Sequence, residues 1–406
     1  MFRTCQLSRS RMVGVLPAVV LFIAVSGIFA VPAAAANQHS AGVAASGYVV
    51  TDLGTLGGSF SGPLDLNTRG EAVGVSVTAA EDGIRGFVWS GGVMRDIGSL
   101  GGPMAAANGI NSSGQISGWS QLNRQAPPST FNTSGVFCSD PFVPDQPRFA
   151  CRAIMRDHGH LIDLGTLGGL NSSTGNRSVN DRGDVAGVAE TRIQDPTGLP
   201  DAPQFHAVLW RGAGTGHVRA IDLGTLGGDP DSSATGVNNR GQVTGVSISN
   251  GATFTGETGR AFTWRQGHMT ELPRLGGDFS GTGAINNRGD IVGASTLPGN
   301  QTTHATLWTR GRIIDLGTLP GDRFSEAADI NDRGVIVGLS CGDAGCRAVR
   351  WDSRGLTDLN AAIAPAQQWE LFTAQAVNSR GQITGDGGHA GSSRAYLLTP
   401  SGRDGH

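Results

Sequence analysis

One string, DLGTLGG, occurs three times unchanged, at Asp52, Asp163 and Asp222. Edited copies begin at Asp96 (DIGSLGG), Glu271 (ELPRLGG), Asp315 (DLGTLPG) and Asp358 (DLNAAIA). A fixed internal period constrains a fold more than any single motif, because each repeat is one small unit that cannot bury its faces alone. Two further motifs keep step with the first. The pattern apolar-Asn-x-x-Gly-x-apolar-x-Gly begins at Leu66, Ile110, Val179, Val237, Ile285, Ile330 and Val377. A small-apolar-x-Trp motif ends at Trp89, Trp210, Trp264, Trp308 and Trp351, and its copies at Ala153 and Ala395 have lost the Trp. Seven copies of each motif lie between residues 48 and 399.

One repeat shows the physics. Ala261 to Trp264 and Met269 to Leu272 are short β-prone stretches joined through Gly267, a hairpin signal. Ala284 to Asn286 and Ile291 to Gly293 flank Asn287-Arg288-Gly289, where Asn bonds the backbone ahead of it and Gly supplies positive φ. Four short strands per repeat of 40 to 50 residues are the propeller signature. The ends are complementary: Tyr48 to Leu53 lacks a preceding Trp strand, and Ala395 to Thr399 lacks a following DLG strand. The expectation is an all-β, seven-bladed propeller of four-stranded blades. Each blade runs Asn strand, Gly strand, Trp strand, DLG strand from inside to outside, and the N-terminal strand closes the C-terminal blade. A content of 64 Gly in 406 residues, with only 6% aromatics, suits many tight turns between short strands.

The combination of DLGTLGG, INxRGxIVG and a basic-Ala-x-x-Trp motif resembles the bacterial extracellular repeat family called HAF, after its His-Ala-Phe consensus. The nearest copies are His206-Ala207-Val208, His304-Ala305-Thr306 and Arg260-Ala261-Phe262; no literal HAF occurs. The resemblance implies secretion and tandem repeats, and it carries no catalytic residue to transfer.

The N-terminus agrees. Arg3, Arg9 and Arg11 precede an apolar run from Met12 to Ala30, and Ala34 and Ala36 fit a small-x-small cleavage site, so residues 1–36 read as a cleaved signal peptide. Residues 37–47 then read as a flexible linker and 400–406 as a disordered tail. All 30 basic residues are Arg, set against 33 acids, for a net charge of −3. On that count no positive field exists to hold nucleic acid or an anionic membrane, and no later stretch is long and apolar enough to span a bilayer. Cys5 leaves with the signal. Four cysteines remain for an oxidising compartment, and local pairing, Cys138 with Cys151 and Cys341 with Cys346, is the simplest connectivity. Neither pair is a Cys-x-x-Cys and the histidines are scattered, so no metal or cofactor is expected.

A residue present in every repeat is explained by repeat geometry. This disposes of Arg182-Gly183-Asp184 and Arg288-Gly289-Asp290 as adhesion tripeptides, and of Gly338 to Gly342 as a nucleophile elbow. The repeated DLG acids are expected to bond the Gly-rich turn that follows them. Single-copy departures carry more information. Antiparallel alternation puts the LeuGlyGly loops and the connections before each Trp strand on one face. Those connections vary from 9 residues (Leu339 to Arg347) to 34 (Trp119 to Arg152), and variable loops on a rigid support are where recognition resides. The longest, an insert at about 119–152, carries Trp119, Phe131, Phe137, Phe142 and Phe149 with Cys138 and Cys151; Trp369 lies in a loop on the same face. These rings form either a small core for the insert or an aromatic platform for a sugar or peptide. The sequence therefore reads as a secreted, monomeric, non-enzymatic binding or scaffold module for an extracellular glycan or protein. The rival is a polysaccharide lyase or hydrolase on the same scaffold. Paired acids or a Tyr/His/Arg cluster outside the repeats would favour it; the only tyrosines, Tyr48 and Tyr396, lie in repeat strands. A matrix protein with no discrete ligand is the third class.

Overall fold

The computed structural model describes residues 47–80, 83–126, 149–195, 203–215, 217–249 and 259–402. The chain is all-β, with three short 3-10 turns as the only helical elements among these residues. The first repeat sets the pattern: strands Gly57–Leu66, Ala72–Thr78, Ile84–Ser90 and Val93–Asp96 pair in chain order, each antiparallel to the next. Three further four-stranded sheets follow in the same order, through residues 101–163, 172–224 and 231–271. The fifth and sixth repeats share one eight-stranded sheet, joined only by a parallel pairing of Thr303 with Phe324. In the last sheet Tyr48–Asp52 pairs antiparallel with Ser392–Pro400, from Tyr48 opposite Pro400 to Asp52 opposite Tyr396. The two complementary ends thus meet, and Pro400 belongs to this strand, not to the tail.

The sequence motifs have distinct mechanical roles. In the Asn-x-x-Gly turn, Asn67 Oδ1 accepts from the backbone N–H of Arg69 (2.9 Å) and Glu71 (3.1 Å). The same side chain's Nδ2 donates to the carbonyl of Asn111, the matching residue of the next repeat, at 3.1 Å. Asn111 repeats this to Asn180, Asn180 to Asn238, Asn238 to Asn286, Asn286 to Asn331, and Asn331 to Asn378. Asn378 then donates to Asn67 at 3.0 Å, and the series returns to its start. All seven asparagines are buried, so each amide is desolvated and uses both its ends.

The Gly of the second strand is fixed by a close approach. A Cβ at Gly338 would lie 1.9 Å from the carbonyl oxygen of Glu326 on the inner strand. A bulge lies beside this contact, since Ala328 is skipped between the pairs Ala327–Gly338 and Asp329–Val337, and a bulge bends its strand. Between repeats the sheets pack on apolar faces. Leu66, Ala72, Phe87 and Trp89 of the first repeat, for example, bury against Ala376, Ala395 and Leu397 of the last. Trp308 and Trp351 also donate Nε1–H to the carbonyls of Pro273 and Leu316 in the preceding repeat, at 2.7 and 2.9 Å.

Candidate functional site

The sequence-selected rings do not converge among the described residues. Trp119 lies inside strand Ile116–Gln125, 7% exposed, in a core with Ile84, Met104, Cys151 and Phe205. It follows Gly118 as Val75, Val188 and Val246 follow their own glycines, so it fills a core position and does not stand in the loop. Phe149 is half-buried and opens strand Phe149–Asp157, opposite Gln125. Trp369 opens the short strand Trp369–Leu371, where it stacks on His389 at 4.6 Å with a 5° interplanar angle and meets Tyr396 edge-on at 6.0 Å. It packs against a core cluster separate from that of Trp119. Phe131, Phe137, Phe142 and Cys138 lie outside the described residues. Cys151 is buried and disulfide-bonded. Cys341 and Cys346 face each other across a hairpin and are joined by a disulfide.

What the fold does bring together is a charged cluster between inner strands. Three residues before each repeat asparagine stand Leu64, Asn108, Arg177, Thr235, Gly283, Ala328 and Gln375. In five repeats this residue is a one-residue bulge. The third repeat is two residues longer between Gly169 and Asn180 than the first is between Gly58 and Asn67. Its pairing accordingly jumps from Thr174–Gly187 to Val179–Val185. Arg177 sits in that arch with φ at 54°, an unfavourable conformation for a residue with a side chain. Its Nη1 donates to the carbonyls of Leu64 (3.0 Å) and Gln375 (2.7 Å), and its Nε lies 3.8 Å from Asp329 Oδ1. One buried side chain thus links the third repeat to the first, sixth and seventh.

Three carboxyls surround this guanidinium. Asp65 accepts from the N–H of Leu66 and of Ile110, both at 2.8 Å, and Asp329 accepts from Val377 at 2.8 Å. Glu326 is 7% exposed, and its carboxyl has no hydrogen-bond partner among the described residues. Burial pushes Asp65 up to about 7, and Asp329 adds to the rise while Arg177 and two N–H donors oppose it. Burial likewise carries Glu326 to about 7 against the pull of Arg177 and raises Asp329. A single cation cannot balance three buried carboxylates, so the cluster holds protons near neutrality. It can donate or accept a proton without leaving the physiological range.

A second buried acid, Asp231, accepts from the N–H of Phe205 at 2.8 Å, while its Oδ2 has no partner. Burial pushes it to about 7; the Phe205 bond opposes the rise and Asp195 adds to it. Among the described residues no three or more His, Cys, Asp or Glu side chains are grouped to hold a metal ion.

The repeated acids are occupied locally. Asp52, Asp96, Asp163, Asp222 and Asp315 each accept from the N–H of the Gly two residues on, at 2.7–2.8 Å. The basic residue of the Trp-strand motif meets the same acid across the sheet: Arg85 with Asp96, Arg152 with Asp163, His206 with Asp222, Arg260 with Glu271, His304 with Asp315, and Arg347 with Asp358. Two motifs that look independent in sequence are thus one ion pair.

No protein-family model matches the chain, and no curated protein matches it. Solved structures do. The chain is similar to TolB from Acinetobacter baumannii, with a TM-score of 0.42 and 12% identity over 85% of this chain and 65% of that one. It is also similar to Trypanosoma rangeli sialidase, with a TM-score of 0.37 and 9% identity over 84% of this chain and 54% of that one. A gluconolactonase from Xanthomonas campestris gives a TM-score of 0.33 and 11% identity, over 61% and 78%. The chain spans less than two thirds of the TolB and sialidase chains it matches.

Proposed function

We propose that this chain is a secreted, monomeric, closed seven-bladed propeller. It acts as an extracellular binding or scaffold module, taking a glycan or protein on the face that carries the LeuGlyGly loops and the variable connections. The observation that carries this reading is the contrast between the asparagine series, which repeats the same bond from Asn67 round to Asn378 and back, and the connections of unequal length at the other ends of the strands. A fixed support with variable loops is the arrangement of a recognition surface. The HAF resemblance, the leader and the disulfide between Cys341 and Cys346 support an extracellular setting. Among the described residues no helix is long and apolar enough to cross a membrane.

The test is removal of residues 127–147 together with Cys151→Ser. Trimmed and full-length mature protein are compared for capture of uncharged cell-wall glycans, neutral plant polysaccharides and culture-supernatant proteins. A folded trimmed protein that loses capture supports the reading; undiminished capture refutes the insert as the binding element. The enzymatic alternative rests on Asp65 and Glu326, held near 7 beside Arg177. It predicts glycan cleavage by the mature protein that Glu326→Gln abolishes while the melting temperature holds.

A further inference from the structure

The net charge of −3 conceals a separation of charge between the two faces. Antiparallel alternation places the Asn-x-x-Gly turns and the hairpin turns between Trp and DLG strands together, opposite the LeuGlyGly loops. In the third, fourth and fifth repeats these turns present Arg219, Arg240, Arg265, Arg310 and Arg312, all exposed. Among the described residues no acid lies within ion-pair distance of any of the five, and none of their side chains makes a hydrogen bond. Arg211, itself 4.0 Å from Asp184, reaches across to the neighbouring repeat, where its Nη2 lies 3.3 Å from the place a Cβ would take on Gly241. Hairpin turn and asparagine turn of these two successive repeats therefore abut, and the five arginines belong to one sector of that face, in the third to fifth repeats.

Arginine in the asparagine turn is a repeat feature, present at Arg69, Arg182, Arg240, Arg288, Arg333 and Arg380, but the hairpin-turn arginines Arg219, Arg265, Arg310 and Arg312 are not. The equivalent turns of the first two repeats are Ser90-Gly91-Gly92 and Ser112-Ser113-Gly114, and Arg69 is tied to Glu71 by Nε–H at 2.9 Å. The DLG acids near the other face are matched by their own Arg and His partners, whereas here Arg211 and Arg288 meet Asp184 and Asp290 and the other five arginines meet no acid among the described residues. A positive sector then stands on a chain of negative total charge, since a sum over the chain does not fix where the charges lie.

We propose that this sector docks an acidic polysaccharide, on the face opposite the variable loops. Arginine forks match carboxylate and sulfate groups in pairs, and arginines on glycine turns of successive repeats suit charges recurring along a chain. The chemistry favours a glycan over other polyanions. These turns carry no Phe, Tyr or Trp on which the bases of a single strand could stack. Among the described residues the exposed large apolar side chains, Val49, Val93, Ile193 and Ile314, lie outside them, which leaves no wedge for a lipid surface there.

Binding of mature protein to polygalacturonate is measured by biolayer interferometry, with neutral dextran, duplex DNA and phosphatidylserine vesicles alongside. The expected result is binding to polygalacturonate that weakens about tenfold between ~50 and ~200 mM salt, as screening requires. The triple variant Arg240→Ser, Arg265→Ser, Arg310→Ser loses at least about tenfold in affinity with its melting temperature unchanged. Arg323→Ser, an exposed pair with Asp343 on the other face, binds as wild type, and so does the protein lacking residues 127–147. The proposal is overturned by no binding at low salt, by full binding of the triple variant, or by tighter binding of DNA or vesicles. Loss on removing residues 127–147 overturns it too, because the ligand then sits on the variable-loop face.

Discussion

The asparagine series and the Arg177 cluster lie three residues apart in the chain and follow opposite rules. Asn180 is one of seven equivalent side chains, each bonded to its neighbour in the same way. Arg177 has no counterpart, sits at positive φ, and bonds to repeats distant in the chain. Repetition distributes stability: each amide holds one junction, and losing one leaves six. The single-copy side chain concentrates it, since three buried acids depend on one guanidinium.

That contrast can be broken most sharply at Arg177. Arg177→Ala strands Asp65, Asp329 and Glu326 without a counter-charge and should cost about 3–5 kcal/mol in chemical denaturation. A cost no larger than that of a single asparagine would remove the distinction. Asn286→Ala deletes the bond to Asn331 and the acceptor for the N–H groups of Arg288 and Asp290. Its expected cost is about 2–3 kcal/mol, from buried donors left unsatisfied.

The pH dependence sharpens the same comparison. Asp65, Asp231 and Glu326 titrate near 7 in the folded chain and near 4 when unfolded. The folded state therefore binds more protons between those values, and stability falls as pH rises from about 4 through 7. Asp222 and Asp290, held below the usual carboxylate range because hydrogen bonds outweigh their burial, act in the other direction and lose stability only in stronger acid. The melting temperature should thus decline from pH 5 to pH 8. Asp65→Asn with Glu326→Gln should flatten that decline, and an unchanged slope would show that the cluster is not its source. The smallest effect is expected at Cys341 and Cys346: closing so short a loop stabilises by about 2 kcal/mol at most, measured by denaturation of the double Ser variant.

Much of the architecture was legible because the repeats made it so. Strand order within a repeat, the glycine turns and the pairing of Tyr48–Asp52 with the last strand all follow from motif spacing. The DLG acids do bond the turn after them. The same regularity concealed the cluster. Asp65 and Asp329 stand where other repeats have Gly109, Ser178, Gly236, Ala284 and Ala376, and the two-residue lengthening before Asn180 could be counted. Only the fold shows that these departures, far apart in sequence, meet at one place. Trp119 misled for the converse reason: it neighbours the longest insert, but its register after Gly118 makes it core. Net charge, as a sum over the chain, carries no information on which end of a strand each charge occupies.

The asparagine bonds are strictly local, each made between one repeat and the next, and a chain that gained or lost a whole repeat could make every one of them again. Arg177 is different, because its reach of one side-chain length must end on Leu64, Gln375 and Asp329 together. Its guanidinium acts as a gauge of the spacing between the first, sixth and seventh repeats. Duplication or loss of a repeat, the easiest change for a tandem array to suffer, would leave that gauge too short or too long, and the buried acids would register the error.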